Sequence, residues 1–492
     1  MRDKGIWKIL AILMVLVMVG SCVAVPSAGG VSESEVKSSS ATIYVPDGYS
    51  TIQAAVDAAT PGDTIIVRDG TYLGGINVYK RLTIQSENGT DSTIVLGSPG
   101  GNGFEVITNY VTISGFTIEG ASFSCGIHIS GVTNCNISNN IVSSNLQGIY
   151  LSKSSRNMIF NNTAFSNENC GIVLVDGSTH NQIIKNNASN NLNYHGILLL
   201  SSSENTIANN TAKNNGNNGI FLKESNENII ANNTAENNGE SNIYLEESNS
   251  NRITDNDASN SVNYNGIALD SSTDNEISNN IANSNHYQGI LLQTSGENII
   301  ANNTAKSNGY NGIYLMESNN NNITDNDASN SVNYNGIVLN ASNNNEIQNN
   351  TALSNNQSGI VLIHGSTNNK IINNNASNNL NYQGILLGSS SENIIINNTA
   401  KNNSNNGIYL MESNNNRITD NDASNSVNYN GMALNASDNN EIQSNAALSN
   451  NQSGIVLING STDNKIIKNN ASNNLNSQGI GLVTSSENII AN

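Results

Sequence analysis

The chain has 492 residues, a formal net charge of −19 and only 12% charged residues. An acidic chain so poor in charge lacks the basic surface that nucleic acid requires and the charge density of ordinary disorder. Metal cations and uncharged polymers are easier partners to accommodate.

In chain order, the first element is MRDKGIWKILAILMVLVMVGSCVAVPSAGG. Arg2, Lys4 and Lys8 form a basic start, an apolar run follows from Ile9 to Val19, and small residues come next. That order predicts a secretory signal over 1–25, too short for a membrane span, and hence an exported protein, extracellular, on the cell surface or periplasmic. Val19-Gly20-Ser21-Cys22 loosely resembles a lipoprotein cleavage box, which would make Cys22 a lipid anchor and the only membrane attachment. Residues 26–41 read as a linker. Cys125, Cys135 and Cys170, odd in number and irregularly spaced, form no disulfide framework and read as small buried apolar residues.

Residues 42–100 read as an N-terminal cap with the first strands. In YVPDGYSTIQAAVDAATPGDTIIVRDGTY, Ser50 and Gln53 match a capping box, and Ile52, Ala55, Val56 and Ala59 share one face of a short helix. Such a helix can cover the open end of a sheet.

From 101 to 492 the chain repeats. Gly-Ile pairs recur every 22–25 residues from Gly126 to Gly479, with Asn242 standing in for one Gly and Met432 for one Ile. The repeat is G-I-x-L-x-x-S-x-x-N-x-I-x-x-N-x-A-x-x-N, complete in GIFLKESNENIIANNTAENN at 219–238. Apolar positions two apart predict strands with one buried face, with Ile220, Leu222, Ile230 and Ala235 inward and Phe221 outward. Three short strands per coil, at about 3.3 Å per residue, close a three-sided tube. The expected fold is all-β, a right-handed parallel β-helix solenoid of about sixteen coils with an N-terminal amphipathic helix cap. Stacking places each Asn above its counterpart about 4.8 Å away, so Asn228, Asn233 and their equivalents can form hydrogen-bonded ladders. Asn also tolerates the left-handed backbone of tight turns. The string NKII-NNASNNLN begins at 369 and, with one change, at 464, a four-coil block duplication. The sequence stops at SENIIAN, elsewhere followed by NTA, so a truncation in mid-coil is expected.

The repeat and the opening TIQAAVDAATPGDTIIVRDGTY resemble the NosD-type parallel β-helix family, the carbohydrate-binding and sugar-hydrolase β-helix group common among archaeal surface proteins. The resemblance covers about 42–492. It implies a right-handed β-helix and an exported protein associated with polysaccharide; the family name also carries a link to copper delivery.

Two outward columns are candidate sites. The x of G-I-x-L is often aromatic or aliphatic: Tyr150, Phe221, Tyr244, Tyr314 and Tyr409. Two residues before the Gly lie Tyr264, Tyr287, Tyr310, Tyr334, Tyr382 and Tyr429, with Tyr194 earlier. Parity predicts a shallow groove with a glycine floor and aromatic walls, suited to stacking sugar rings. Alternatively, these residues stabilise strands through neighbour pairs, or dock another protein.

Asp-Asn-Asp recurs as Asp255/Asp257, Asp325/Asp327 and Asp420/Asp422, pairs that could hold Ca²⁺ or simply form solvated turns. An EF-hand is excluded, because Asn260 occupies its glycine position and Gly266 its final glutamate. Glu224 and Glu247 share a column in adjacent coils. His128, His180, His195, His286 and His364 are scattered, and no copper set is visible. No polygalacturonase, pectin methylesterase or alginate epimerase signature is assembled; His364-Gly365 lacks its partners. Sequons such as Asn88, Asn136, Asn340 and Asn435 accompany the Asn-rich composition. No cofactor is implied. The sequence therefore favours a non-enzymatic surface or envelope protein that binds polysaccharide or packs against envelope components. The alternatives are a polysaccharide lyase, hydrolase or epimerase, and a ligand-free scaffold.

Overall fold

The computed structural model describes residues 40–97 and 100–491. The signal segment, most of the linker and Cys22 lie outside the described residues.

Four residues per coil decide the fold. In the coil at 219–242 these are Glu224, Glu227, Asn232 and Asn237, all left-handed with φ between 48° and 56°. Each turns the chain, and each is followed by a buried Ser or Asn: Ser225, Asn228, Asn233 and Asn238. The tasks expected of one Asn are thus divided between two neighbours. The exposed residue adopts the unfavourable backbone, and the next one turns inward and forms the ladder. Asn233 N–H donates to Asn256 Oδ1 at 2.9 Å, Asn233 Nδ2 donates to the same oxygen at 2.9 Å, and Nδ2 also reaches Ile207 O at 2.8 Å. A left-handed non-glycine residue costs about 1–2 kcal/mol. The ladder offsets that cost by pairing backbone groups that the turns would otherwise bury unsatisfied.

Between the turns run parallel strands that stack as a right-handed solenoid of about 19 turns. One sheet has 20 strands, from Thr42–Val45 to Ile489–Ala491. A second runs from Ile76–Val78 to Ile480–Leu482 and contains every Ile-x-Leu segment. The third side departs from expectation. It has five strands, ending at Thr163–Phe165, and beyond them each coil contributes a single bridge residue: Asn187, Thr211, Thr234 and onward to Asn470. The spacing of the turns does not account for this: Asn232 and Asn237 are five apart, as are Asn161 and Ser166, which flank the strand Thr163–Phe165. Ile220, Leu222, Ile230 and Ala235 are fully buried, and their equivalents stack into one continuous core.

The expectation of about sixteen coils was low because Gly-Ile pairs mark only the later ones. Residues 42–100 already form coils, with Ile65, Ile76, Val78 and Ile84 in the same core.

The helix is Ile52–Ala58. Its N-cap is Thr51, whose hydroxyl accepts from Ala54 N–H at 3.1 Å, rather than Ser50. Gln53, free of capping duty, reaches the edge of the first coil: its Oε1 accepts Asn77 N–H at 2.7 Å. Lys80 Nζ closes the other end by donating to the carbonyls of Asp57 and Ala59. Ile52, Ala55 and Val56 are buried against this coil, so the helix covers edges that would otherwise be free.

Candidate functional site

The Gly of Gly-Ile is not a groove floor. A methyl group on Gly219 would lie 2.6 Å from Asn238 Nδ2 and 2.7 Å from Asn242 O. The missing side chain makes room for the internal ladder at a corner of the tube. The parity expectation failed because the chain turns at this Gly, and strict alternation holds only within a strand.

The two outward columns differ in exposure. In the Ile-x-Leu column the smaller residues are covered: Ala268 and Val338 are each 3% exposed. The aromatics there are half-buried and contact their neighbours. Phe221 and Tyr244 stack at 5.1 Å with 9° between planes, and Tyr150 meets His128 edge-on at 5.3 Å. Tyr314 and Tyr409 accept hydrogen bonds from Asn340 and Asn435, which also engages both outward sequon side chains.

Of the tyrosines before the Gly, Tyr194, Tyr264, Tyr334, Tyr382 and Tyr429 are exposed, while Tyr287 and Tyr310 are half-buried. Tyr264, Tyr287, Tyr310 and Tyr334 form an unbroken run over four coils, with centroids 5.8, 4.7 and 4.8 Å apart. Beside the tyrosines is a feature the sequence reading missed: Leu192, Val262, Val332, Leu380, Val427 and Leu475 are each more than half exposed. The signal was present in the strings NLNY and SVNY, whose Leu or Val falls outside the Ile/Leu/Ala core register. These coils are one residue longer before the Gly, and the added residue lies between the aliphatic residue and the Tyr, since Gly309-Tyr310-Asn311-Gly312 in the preceding coil already carries its Tyr two residues before the Gly. Val332-Asn333-Tyr334-Asn335-Gly336 corresponds to Asn356-Gln357-Ser358-Gly359 in the next coil, with Gln357 N–H bonded to Tyr334 O at 2.9 Å. The extra residue pushes Val and Tyr out as a ridge. A glycine-floored hollow does exist, but at another column: Gly216 and Gly239 lie between the ridges of Leu192 and Val262, in a depression of about 410 Å³.

A second depression, about 230 Å³, lies where the repeat is broken. Asn242 replaces the Gly, and its Nδ2 donates to Ser259 O at 2.8 Å, inside the tube. Outside, Tyr244 and Tyr264 flank Ala268, with Glu240 and Asp270 on the rim. Burial, and then Asp270, Glu246 and Glu240, push the Tyr244 phenol up to about 12, so it stays protonated as a donor. In an adjoining coil His195 is buried, and burial holds it down at about 4. It is neutral, with Nδ1 accepting from Asn218 N–H at 3.3 Å.

The Asp-Asn-Asp turns place the first Asp in the left-handed position and the second at the single bridge, on either side of a buried ladder Asn. Lys306 pairs with Asp327 and Lys401 with Asp422. In the first copy Glu236 takes the lysine's place. Burial, together with Glu236, holds the Asp257 carboxyl above its ordinary range, while Asp255 accepts from Thr254 Oγ1. Among the described residues no group of three or more His, Cys, Asp or Glu is placed to hold a metal ion. Cys135 and Cys170 are buried and Cys125 is half-buried; all three are free thiols.

The chain belongs to the right-handed β-helix family: the family described as "Right handed beta helix region" matches residues 22–188, 82–224, 178–262 and 335–492. Residues 240–382 also match the family described as "Periplasmic copper-binding protein (NosD)". That segment does not fit copper. His286 stands beside Tyr287, His364 Nδ1 lies 2.8 Å from Asn340 Oδ1, and the two rings occupy different columns. No curated protein matches the chain. Among solved structures, gene product 12 of bacteriophage phi29 is 13% identical over 90% of this chain and 72% of its own, with a TM-score of 0.55. The A-module of mannuronan C-5 epimerase AlgE6 of Azotobacter vinelandii is 14% identical over 80% of this chain and 94% of its own, TM-score 0.35. A PL6 family polysaccharide lyase of Pseudopedobacter saltans is 14% identical over 63% and 82%, TM-score 0.42. The likeness to the phage protein, at 13% identity, is one of fold alone.

Proposed function

We propose that this is an exported surface or envelope protein that binds polysaccharide along the outer corner formed by its Tyr and Leu/Val ridges. The observation that carries the reading is the exposure of that corner. The tube needs Ile, Leu, Ala and Asn inside, yet Tyr382 and Tyr429 project with an aliphatic neighbour into solvent, and Tyr334, stacked on Tyr310, remains exposed beside Val332. An aromatic face with amide groups around it suits a sugar ring, which is apolar on its faces and hydroxylated at its edge. Export is supported by the signal-like N-terminus and by the periplasmic family matched over 240–382. The test is electrophoresis through gels containing dissolved polysaccharides, comparing the mature protein with the triple variant Tyr334→Ala, Tyr382→Ala, Tyr429→Ala. Retardation that the folded variant loses supports the reading, and equal mobility of the two in every gel sinks it.

A second reading, modification of a bound polymer, is favoured by the depression at the broken coil, where Glu240 and Asp270 accompany a protonated Tyr244. Product release from a polymer that depends on Asp270 and Glu240, assayed with Asp270→Asn and Glu240→Gln, would support it.

A further inference from the structure

The ridges are periodic. Between 332 and 475 they occur in every second coil: Val332 with Tyr334, Leu380 with Tyr382, Val427 with Tyr429, then Leu475. The aliphatic members are 57%, 59%, 57% and 71% exposed. The coils between carry Asn356, Ser404 and Asn451 at the same position. Backbone bonds keep the loops in register: Gln357 N–H to Tyr334 O at 2.9 Å, Asn405 N–H to Tyr382 O at 3.1 Å, and Gln452 N–H to Tyr429 O at 3.0 Å. The extra residue therefore does not drift around the tube, and the ridges form a straight row parallel to its axis.

Two coils advance about 9.6 Å. That is the reach of two pyranose rings joined end to end in an extended chain. In such a chain with two-fold symmetry, successive rings are flipped, so the same face recurs at every second ring. A row with one apolar ridge per two coils meets an equivalent face each time. A coiled or helical glycan would present its faces at changing angles and lose register after one contact.

The corner is also uncharged. The loops at 328–336, 376–384 and 423–431 contain no Asp, Glu, Lys or Arg, and the one lysine in the intervening loops, Lys401, is neutralised by Asp422. The polar groups on offer are amides: Asn381 Nδ2 bonds Asn356 O, and Asn428 Nδ2 bonds Ser404 Oγ. Amides suit hydroxyl groups. A carboxylated polymer would find no cation here and would meet a chain of net charge −19.

From these observations we infer that the ligand is a neutral, extended polysaccharide with a two-sugar repeat, of the β-(1→4)-linked kind, lying along the 332–475 corner parallel to the tube axis. The inference rests on the polysaccharide-binding reading and narrows it. The row spans six coils, about 29 Å, and so accommodates about six sugars.

Binding of the mature protein to β-(1→4)-linked glucose oligomers of two, four, six and eight units, measured by calorimetry, tests the inference. Gel retardation on a neutral extended glucan, on dextran and on alginate runs beside it. The expected result is affinity that rises at each added disaccharide and levels off beyond six, retardation by the extended glucan alone, little dependence on salt, and loss in the Tyr334/Tyr382/Tyr429 variant. Equal or stronger binding of dextran or alginate, lost in that variant, would overturn the inference while leaving the corner a polysaccharide site. Binding of no polymer would overturn both. Self-association that the same substitutions abolish would make the corner an interface between copies and would also overturn it.

Discussion

Asn280 illustrates the load on a single ladder residue. Its Nδ2 donates to Ile253 O at 2.9 Å and to Asn303 Oδ1 at 3.0 Å, while its Oδ1 accepts from Asn256 N–H at 2.9 Å. Asn280→Ala leaves these buried groups unpaired and should cost about 2–4 kcal/mol, read from the shift in a denaturation midpoint. The opposite change is also available. At Ser331 the ladder is interrupted, and Asn308 Nδ2 and Ser331 Oγ have no protein partner. The equivalent position two coils on is Asn379, in a loop that also carries the ridge tyrosine, and it accepts from Asn355 Nδ2 at 3.3 Å. Ser331→Asn should therefore restore the rung and stabilise by about 1 kcal/mol in the same assay. His195 supplies a pH effect. Burial lowers its folded pKa from 6.5 to about 4, so the unfolded chain takes up the proton first. Stability should fall as pH drops from about 6.5 to about 4, by about 3 kcal/mol if unfolding is global, and His195→Gln should flatten that slope. The buried Asn columns were legible in the sequence, since they recur at fixed offsets from Ile and Leu. Their division of labour with the preceding residue was not, because Glu224, Glu227 and Asn232 share a backbone angle rather than a residue type.

At the scale of the element, the Gly-Ile corner leaves no room for a side chain. A methyl group on Gly289 would stand 2.5 Å from Asn308 Nδ2 and 2.7 Å from both Ala305 Cβ and Gly312 O. Gly289→Ala should cost about 1–3 kcal/mol by overpacking and should speed hydrogen exchange at Ile290 and Ile313. The strands containing Ile and Leu were readable from their period of two. The third side was not: Thr163-Ala164-Phe165 is a strand while Thr234-Ala235-Glu236, between turns at the same spacing, contributes a single bridge residue, and the two strings share their Thr-Ala. The helix was placed within a residue, yet its cap was misassigned: Ser50 and Thr51 are adjacent hydroxyls, and only the geometry shows that Thr51 meets Ala54 N–H while Gln53 serves the sheet edge.

For the whole molecule, repetition separates what holds the tube together from what faces outward. Every coil needs its buried Ile, Leu, Ala and Asn, so those positions say little about ligands. The ridge residues are additions to that minimum, inserted in some coils and omitted in others, and their two-coil spacing became visible only when the loops were placed in register. The aromatic columns were found in the sequence as a groove; the structure divides them into a half-buried stack around Phe221 and Tyr244 and an exposed row at Tyr334, Tyr382 and Tyr429. Hydroxyl-radical footprinting of the mature protein with and without a saturating neutral extended glucan tests the central claim most directly. Protection should appear at Tyr334, Tyr382 and Tyr429, with Tyr49 and Tyr79 at the capped end unchanged. Binding that leaves those three tyrosines as reactive as before would place the polymer elsewhere on the tube and contradict the assignment of the corner.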